Sequence, residues 1–505
     1  MNQRRSGALL SYVSIFVYIV IGFIYVPFLL KYLGRNEYGL YQLMGSIVFY
    51  FSLFDFGLSA TVVRYYSHYL ALSENKKAIN SLAISRIIYY FLTVVSLSLG
   101  VILYFFIDDV FSNSLSKFEI YEAKIIYLLL LVNISIKLLS NIYNSIITAH
   151  ENFVFLKVLT IVQQVLQPLV IIFLISLHPY ALTIVFIQTF VNLLVSIIKY
   201  VYSQYKLKVR IHLYHFDKEL VTKMLKFSAS IFIVSVVDQV FWRSNQLILG
   251  IISGTSVVAL YSIAVTIYMN YLPLSGVIQS VFLPKITQMV SKKVANDELS
   301  AYFIRIGRIQ FIILSCVLSG FVVFGKIFIS LWVGKEYMPA FWIALIVLVP
   351  FTIDLIQNLG LTILQAKNKY AFKAKVYSLM ALLNIILAVI MIRFWGPIGA
   401  AIATGLSMFI GNGLIMNWYY YKKVHLNIPQ FWKQIVLFFP VILIPMMSGI
   451  LLKLLFPITS LVELMASVVL YAVIFFISMW SLGMNQYEKE LVKSIVHLGK
   501  SNTSP

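Results

Sequence analysis

The stretch AKIIYLLLLVNISIKLLSNIYNSIITAHE, residues 123–151, decides the fold class. It is long and apolar enough to cross a bilayer, for which a helix needs roughly 20 residues. Yet Asn133, Lys137, Ser140 or Asn141, Asn144, Thr148 and Glu151 recur every three or four positions. That period puts them on one helical face running the whole length of the span. A packing contact between helices uses one or two such groups, not a continuous track. An ammonium at the depth of Lys137 costs several kcal/mol unless it meets water or a partner. The segment therefore reads as a membrane helix lining a hydrophilic cavity.

The same pattern extends outward from this segment. Gln163, Gln164 and Gln167 form a shorter track, as do Gln188, Asn192, Ser196 and Lys199, and Ser262, Thr266 and Asn270. Residues 226–251 contribute Asp238, Gln239, Arg243, Asn245 and Gln246; residues 341–365 contribute Asp354, Gln357, Asn358 and Gln365. Asp55 lies near the middle of the apolar run 40–63. By contrast, between Val436 and Leu482 the only charged groups are Lys453 and Glu463. Twelve helices thus line a cavity, and a last pair faces lipid.

Composition agrees. Of 505 residues, 61% are hydrophobic, 15% aromatic and only 11% charged, with mean hydropathy +0.91. Soluble domains carry about 25% charged residues, so a soluble enzyme and a disordered chain are both excluded. The apolar runs are continuous rather than alternating, which excludes a membrane barrel. Fourteen spans fit between residues 8 and 483, using about 300 residues. The expected architecture is an all-α integral membrane protein of about 14 transmembrane helices.

The net charge of +21 does not point to nucleic acid, because the basic residues sit in short loops rather than on a solvated patch. Most fall in alternate loops, including Arg64, Lys76, Lys77, Lys292, Lys293, Lys422 and Lys423. The positive-inside rule then puts both termini in the cytoplasm of a multi-pass protein of the cytoplasmic membrane. MNQRRSGALL at the start resembles a signal n-region, but the following apolar stretch lacks a small-residue cleavage site and reads as a retained first helix. The lone cysteine, Cys316, excludes disulfides within the chain. Tyr205–Lys226 is a basic connector, readable as a linker or as an interfacial helix on anionic lipid.

Shifting the chain by 220 residues pairs Gly34 with Gly254, Leu40 with Leu260, Tyr41 with Tyr261 and Ile47 with Ile267. Six spans separate the two matched turns, so the halves would be parallel repeats of the kind found in secondary transporters. The expected domains are 1–210 and 226–421 as six-helix lobes, 211–225 as connector, and 422–505 as two added helices with a tail. Pro27, Pro168, Pro273, Pro350, Pro440 and Pro445 each remove a backbone hydrogen bond within a span.

Pro27 with YLGRNEYGLYQL (32–43) and LFDFGLSATVVRYY (53–66) resembles the opening of the polysaccharide-transporter branch of the multidrug/oligosaccharidyl-lipid/polysaccharide exporter superfamily. SIFIVSVVDQVFWRSNQLILGIISGTSVVALYSIA (230–264), WVGKEYMPA (332–340), ILQAKNKYAFKAK (363–375) and GPIGAAIAT (396–404) are similar to later elements of that branch. The resemblance implies two pseudo-symmetric six-helix lobes around a central cavity, with two C-terminal helices beside them. It also implies a flippase for an undecaprenyl-diphosphate-linked oligosaccharide, working by alternating access.

Such cargo needs fixed cations for its diphosphate and hydrogen-bonding groups for its sugars. Lys137 and Arg243 are the candidate clamps, with Asn133, Asn141, Asn144, Asn245 and Gln246 lining the path. Arg64 either receives the headgroup first or snorkels as a topology residue. Asp55, Asp238 and Asp354 are candidates for coupling to H+ or Na+, and Asp55 and Asp238 also for neutralising the cations in the empty state. No other cofactor is expected: there is no GxxxxGK[ST] loop and no cluster with metal-ligand spacing. Expected partners are the lipid-linked oligosaccharide, membrane lipids, and a glycan polymerase or glycosyltransferases, with no nucleic acid. A cation- or proton-coupled drug antiporter of the same superfamily is the nearest alternative, followed by a membrane glycan ligase or polymerase, and then by a scaffold in a glycan-synthesis complex.

Overall fold

The computed structural model describes residues 3–292, 294–367 and 369–501. Among them all regular structure is helical. The first half comprises α1 (Gln3–Phe49), a tight 3-10 turn Tyr50–Asp55, α2 (Leu58–Ala71), α3 (Asn75–Phe111), α4 (Lys117–Ala149), α5 (Phe153–Ile175) and α6 (Ala181–Val201). Then come α7 (Lys218–Ser253), α8 (Thr255–Ser291), α9 (Asn296–Trp332), α10 (Ala340–Ile356), α11 (Leu359–Ala366) and α12 (Tyr370–Met408). After a wide π turn, Phe409–Met416, the chain ends with α13 (Asn417–Tyr419), α14 (Ile428–Val436), α15 (Phe439–Leu455), α16 (Leu461–Ser478) and α17 (Gln486–Ser501).

Local chemistry sets the helix starts. Ser116 and Glu119 close a reciprocal capping box at α4, as Ser460 and Glu463 do at α16. The Asp217 carboxylate accepts from Leu220 N and opens α7. The basic connector before it is not an interfacial helix. Between Leu207 and Phe216 it has no helical structure; Tyr214 N and His215 N donate to Asn80 Oδ1 of α3 at 3.0 and 3.2 Å.

Among the described residues ten helical runs are long and apolar enough to cross a membrane, or eleven if α10 and α11, bent by 44°, form one span. This is fewer than the fourteen expected, and the reason is partly geometric. One run covers Leu9–Ala71 and another Tyr370–Val424. At 1.5 Å per residue a run of 63 residues extends about 95 Å, three times the hydrocarbon thickness. Each holds a non-helical glycine, Gly34 (φ 75, ψ 179) and Gly396 (φ 53, ψ −132). Gly254, the residue that the repeat pairs with Gly34, has φ 81 and ψ −179. The two glycines thus share one backbone conformation, open to residues without a Cβ.

Backbone contacts divide the chain into two units, residues 1–262 with 388–397, and residues 263–387 with 398–505. In the first, α1 packs on α5, α4 on α6, and α2 on α3, α4 and α7. Its core includes Leu58, Val62, Leu82, Tyr89, Ile142, Ile146 and, from the connector, Val209. In the second, α9 packs on α10, α15 and α16. Leu454, Val462, Met465 and Val469 stay exposed on α15 and α16, a face suited to hydrocarbon.

Candidate functional site

The first unit encloses a cavity of about 570 Å³. The polar face of α4 forms one wall: Asn133, Lys137, Ser140, Asn141 and Asn144 all line it, as their spacing predicts. Gln42, Ser46 and Phe49 come from α1, Gln163 from α5, Gln188, Asn192, Ser196 and Lys199 from α6, and Arg243 from α7. Among the described residues the lining includes three cationic side chains and no carboxylate. Cations gathered in a low-dielectric wall repel one another and favour an anion between them.

The amides are organised. Gln163 Nε2 donates to Asn192 Oδ1 at 2.6 Å, and Asn192 Nδ2 donates to Asn133 Oδ1 at 2.9 Å. Asn133 Nδ2 donates to the Thr189 hydroxyl at 3.2 Å. This chain ties α5, α6 and α4 together across the wall. Other groups remain available: Gln188 Oε1 is buried without a hydrogen-bond partner, and neither Lys137 nor Lys199 forms a hydrogen bond or ion pair with any described residue. The buried amide oxygen is costly to leave unpaired, while Lys137 is exposed and Lys199 half-buried in the cavity wall, so all three are open to a ligand or water.

Arg243 is held from two sides. Its guanidinium lies over the Phe49 ring at 4.3 Å, and Nη1 donates to Gln246 Oε1 at 3.5 Å. Gln246 Nε2 in turn donates to Ser262 Oγ at 3.0 Å, and Asn245 Nδ2 to Tyr261 OH at 3.3 Å. Asn245 and Gln246 are each 2% exposed and belong to the α7–α8 contact rather than to the cavity lining.

The remaining candidates lie elsewhere. Arg64 is exposed on α2, its guanidinium 4.4 Å from the Phe227 ring. Asp238 is exposed on α7 and lines neither this cavity nor two smaller neighbours. Asp55 borders those two, of about 500 and 200 Å³. Asp354 belongs to the second unit, at the end of α10. Its Oδ1 accepts from Lys373 Nζ at 3.1 Å and its Oδ2 from Tyr377 OH at 3.2 Å; Lys373 Nζ also donates to Asn412 Oδ1 at 2.7 Å. No group of three or more His, Cys, Asp or Glu among the described residues could hold a metal.

The family described as "Polysaccharide biosynthesis protein" matches residues 5–290, which include the whole lining of the cavity. The chain belongs to this family. The resemblance read from residues 32–66 and 230–264 is thereby borne out. A Shigella flexneri protein named "Putative O-antigen transporter" is 20% identical over 419 residues, covering 81% of this chain and 96% of the relative. Among solved structures, the lipid II flippase MurJ in an inward closed conformation superposes with TM-score 0.72 at 17% identity, over 93% of this chain and 98% of that one. An inward-facing multidrug-resistance transporter of the same superfamily superposes with TM-score 0.66 at 13% identity, over 82% and 95%. The chain therefore has the helical transporter fold of this superfamily and is a multi-pass membrane protein.

Gln42 and Ser46 of α1 are cavity residues that sequence reasoning did not single out, and Lys199 is named there on the α6 track but not as a candidate clamp. Lys199 stands on the polar track of α6, yet it also begins the basic run of the connector and reads equally well as a loop charge. The three-residue step from Ser196 is the signal that identifies it.

Proposed function

We propose that the protein is a flippase that moves a polyprenyl-diphosphate-linked oligosaccharide, a repeat unit of a surface polysaccharide, across the cytoplasmic membrane by alternating access. The observation that carries this reading is the sign of the cavity: Lys137, Lys199 and Arg243 with no carboxylate in the lining. A diphosphate takes the cations, and the amides of Asn133, Asn144 and Gln188 take sugar hydroxyls. Family membership and the names of the similar proteins, transporters and flippases, support a carrier rather than a glycan-processing enzyme. A drug-cation antiporter calls for an acidic cavity, which the lining does not supply.

In this reading α10 and α11 form one span, Gly34 and Gly396 each separate two spans, and α7 crosses the membrane as well, which restores the count of fourteen. Residues 1–210 and 226–421 act as two six-helix lobes, both termini are cytoplasmic, and 422–505 adds the last pair of spans. Asp55, Asp238 and Asp354 remain candidates for coupling to H+ or Na+. A glycan polymerase or a glycosyltransferase would exchange cargo with this carrier.

The test is transport in proteoliposomes containing a lipid-linked oligosaccharide, followed by the glycan's accessibility to an added lectin. Each charge-assisted contact to phosphate is worth about 1.5–3 kcal/mol, so Lys137→Gln or Arg243→Gln should weaken substrate binding on the order of 10- to 150-fold. Wild-type flux in the Lys137→Gln, Arg243→Gln double variant refutes the cavity as the cargo site. In cells, deletion should accumulate the lipid-linked intermediate on the inner leaflet.

A further inference from the structure

The polar helix that follows Gly34 is interrupted. After the 3-10 turn Tyr50–Asp55, both Phe56 (φ 51) and Gly57 (φ 66) are left-handed before α2 resumes. A left-handed residue bearing a Cβ costs roughly 1–2 kcal/mol, so the surroundings must hold this break in place. Asp55, the last residue of the turn, does so. Its Oδ1 accepts from Asn141 Nδ2 of α4 at 2.7 Å and from Tyr89 OH of α3 at 3.0 Å. Both donors reach the same oxygen. Among the described residues Oδ2 accepts no hydrogen bond and Asp55 forms no ion pair.

One helical turn from Asn141, on the same face of α4, stands Lys137, whose ammonium is also unpaired among the described residues. Asp55 and Lys137 border one side cavity of about 200 Å³ together with Ser52 and Asn141. Ser52, Asn141 and Lys137 line the large cationic cavity too. A fixed carboxylate oxygen and a flexible ammonium, neither with an ionic partner among the described residues, therefore border one small space. Lysine carries its charge on a flexible four-carbon stem, while Asp55 is anchored through its other oxygen to two helices. Lys137 has two destinations within one side chain's reach.

We propose that Asp55 is the internal competitor of the cargo for Lys137. In the empty carrier the ammonium turns to the free Oδ2, and an arriving diphosphate draws it back into the large cavity. The exchange keeps Lys137 neutralised when no cargo is bound, and it lowers the affinity for cargo so that release stays fast. Asp55 acts through Lys137 and is a positioning residue; it does not touch the cargo. The inference rests on the diphosphate reading of the site.

Asp55→Asn keeps the shape and a hydrogen-bonding oxygen but removes the charge. In the full-length purified protein it should tighten binding of undecaprenyl diphosphate about tenfold, within the usual range of coupling between sites, while slowing flux in proteoliposomes. A purely structural role would weaken both. In a Lys137→Gln background the same substitution should leave affinity unchanged. A second variant works in the opposite sense: Tyr89→Phe removes a hydrogen bond from Oδ1, leaves the carboxylate less satisfied and a stronger partner for the ammonium, and should weaken binding only when Lys137 is present. Unchanged affinity in both Asp55→Asn and Tyr89→Phe overturns the inference, as does tightening that persists without Lys137. Should Asp55→Asn fail to fold, Tyr89→Phe decides alone. If wild-type protein binds undecaprenyl diphosphate no better than undecaprenol, the diphosphate reading fails and takes this inference with it. Saturable, Lys137-dependent binding that ignores Asp55 overturns the inference and leaves the reading intact.

Discussion

Replacing Glu488 by Gln should destabilise the second unit by about 3–5 kcal/mol, the cost of leaving one charge of a buried pair unmatched. The magnitude follows from how completely Arg308 on α9 is engaged. Nε donates to Glu488 Oε1 at 2.6 Å and Nη2 to Oε2 at 3.0 Å. Nη2 also donates to Gly483 O at 3.0 Å, and Nη1 to Gln434 Oε1 at 2.9 Å and to Gln434 O at 3.4 Å. The guanidinium lies 4.4 Å from the Phe438 ring, and the paired side chains are 7% and 2% exposed. Glu488 has a second duty, since Asn485 N donates to its Oε2 at the start of α17. SDS-titrated unfolding of the full chain measures the loss. The labelling rate of Cys316, the single cysteine and on the same helix as Arg308, reports it locally. Arg308→Met combined with Glu488→Leu should cost less than either single change, because no charge is then stranded. A loss below about 1 kcal/mol for Glu488→Gln, or a double variant as unstable as the summed singles, refutes the reasoning.

Further outcomes are expected elsewhere. Lys199→Gln should weaken undecaprenyl diphosphate binding on the order of 10-fold or more, measured as a Kd, and should flatten its salt dependence. Gly254→Ala places a Cβ 2.8 Å from Ser114 O at φ +81, and should cost at least about 1–2 kcal/mol by the same unfolding titration. Asn80→Ala frees two connector amides, and limited trypsin digestion should then cut after Lys208 or Arg210 faster than in wild type. Burial holds the His150 imidazole, paired with the Tyr66 hydroxyl at 3.0 Å, below its ordinary value. The folded state thus favours the neutral ring, and stability present above about pH 6.5 is lost as pH falls below it. His150→Gln should flatten that part of a plot of thermal midpoint against pH.

Much of the architecture is legible in the sequence because membrane helices advertise themselves by length and apolarity. The face of α4 is legible too, since its polar residues keep one period from Asn133 to Asn144. Periodicity does not say what a polar face looks at. Asn245 and Gln246 share α7 with Arg243, yet they face α8 and hold the helix pair together. Asp354 reads as an isolated deep acid, but the bend after α10 brings it to Lys373, which in sequence belongs to a basic loop. Lys199 presents the converse case, a loop charge by position that belongs to the cavity. The break at Gly34 is legible because Lys31, Arg35, Asn36 and Glu37 interrupt the apolar run around it, whereas the one at Gly396 is marked only by Arg393 and Pro397.

The interrupted segment between Phe49 and Leu58 has a mechanical consequence. Bending a continuous helix requires breaking backbone ladder bonds, each of them expensive in a medium without water. Here the ladder is already interrupted by two left-handed residues, so α2 can tilt about that point with little further loss. The chain carries a ready-made joint at the depth of Asp55, and a disulfide or proline that stiffened it would arrest motion before it disturbed folding.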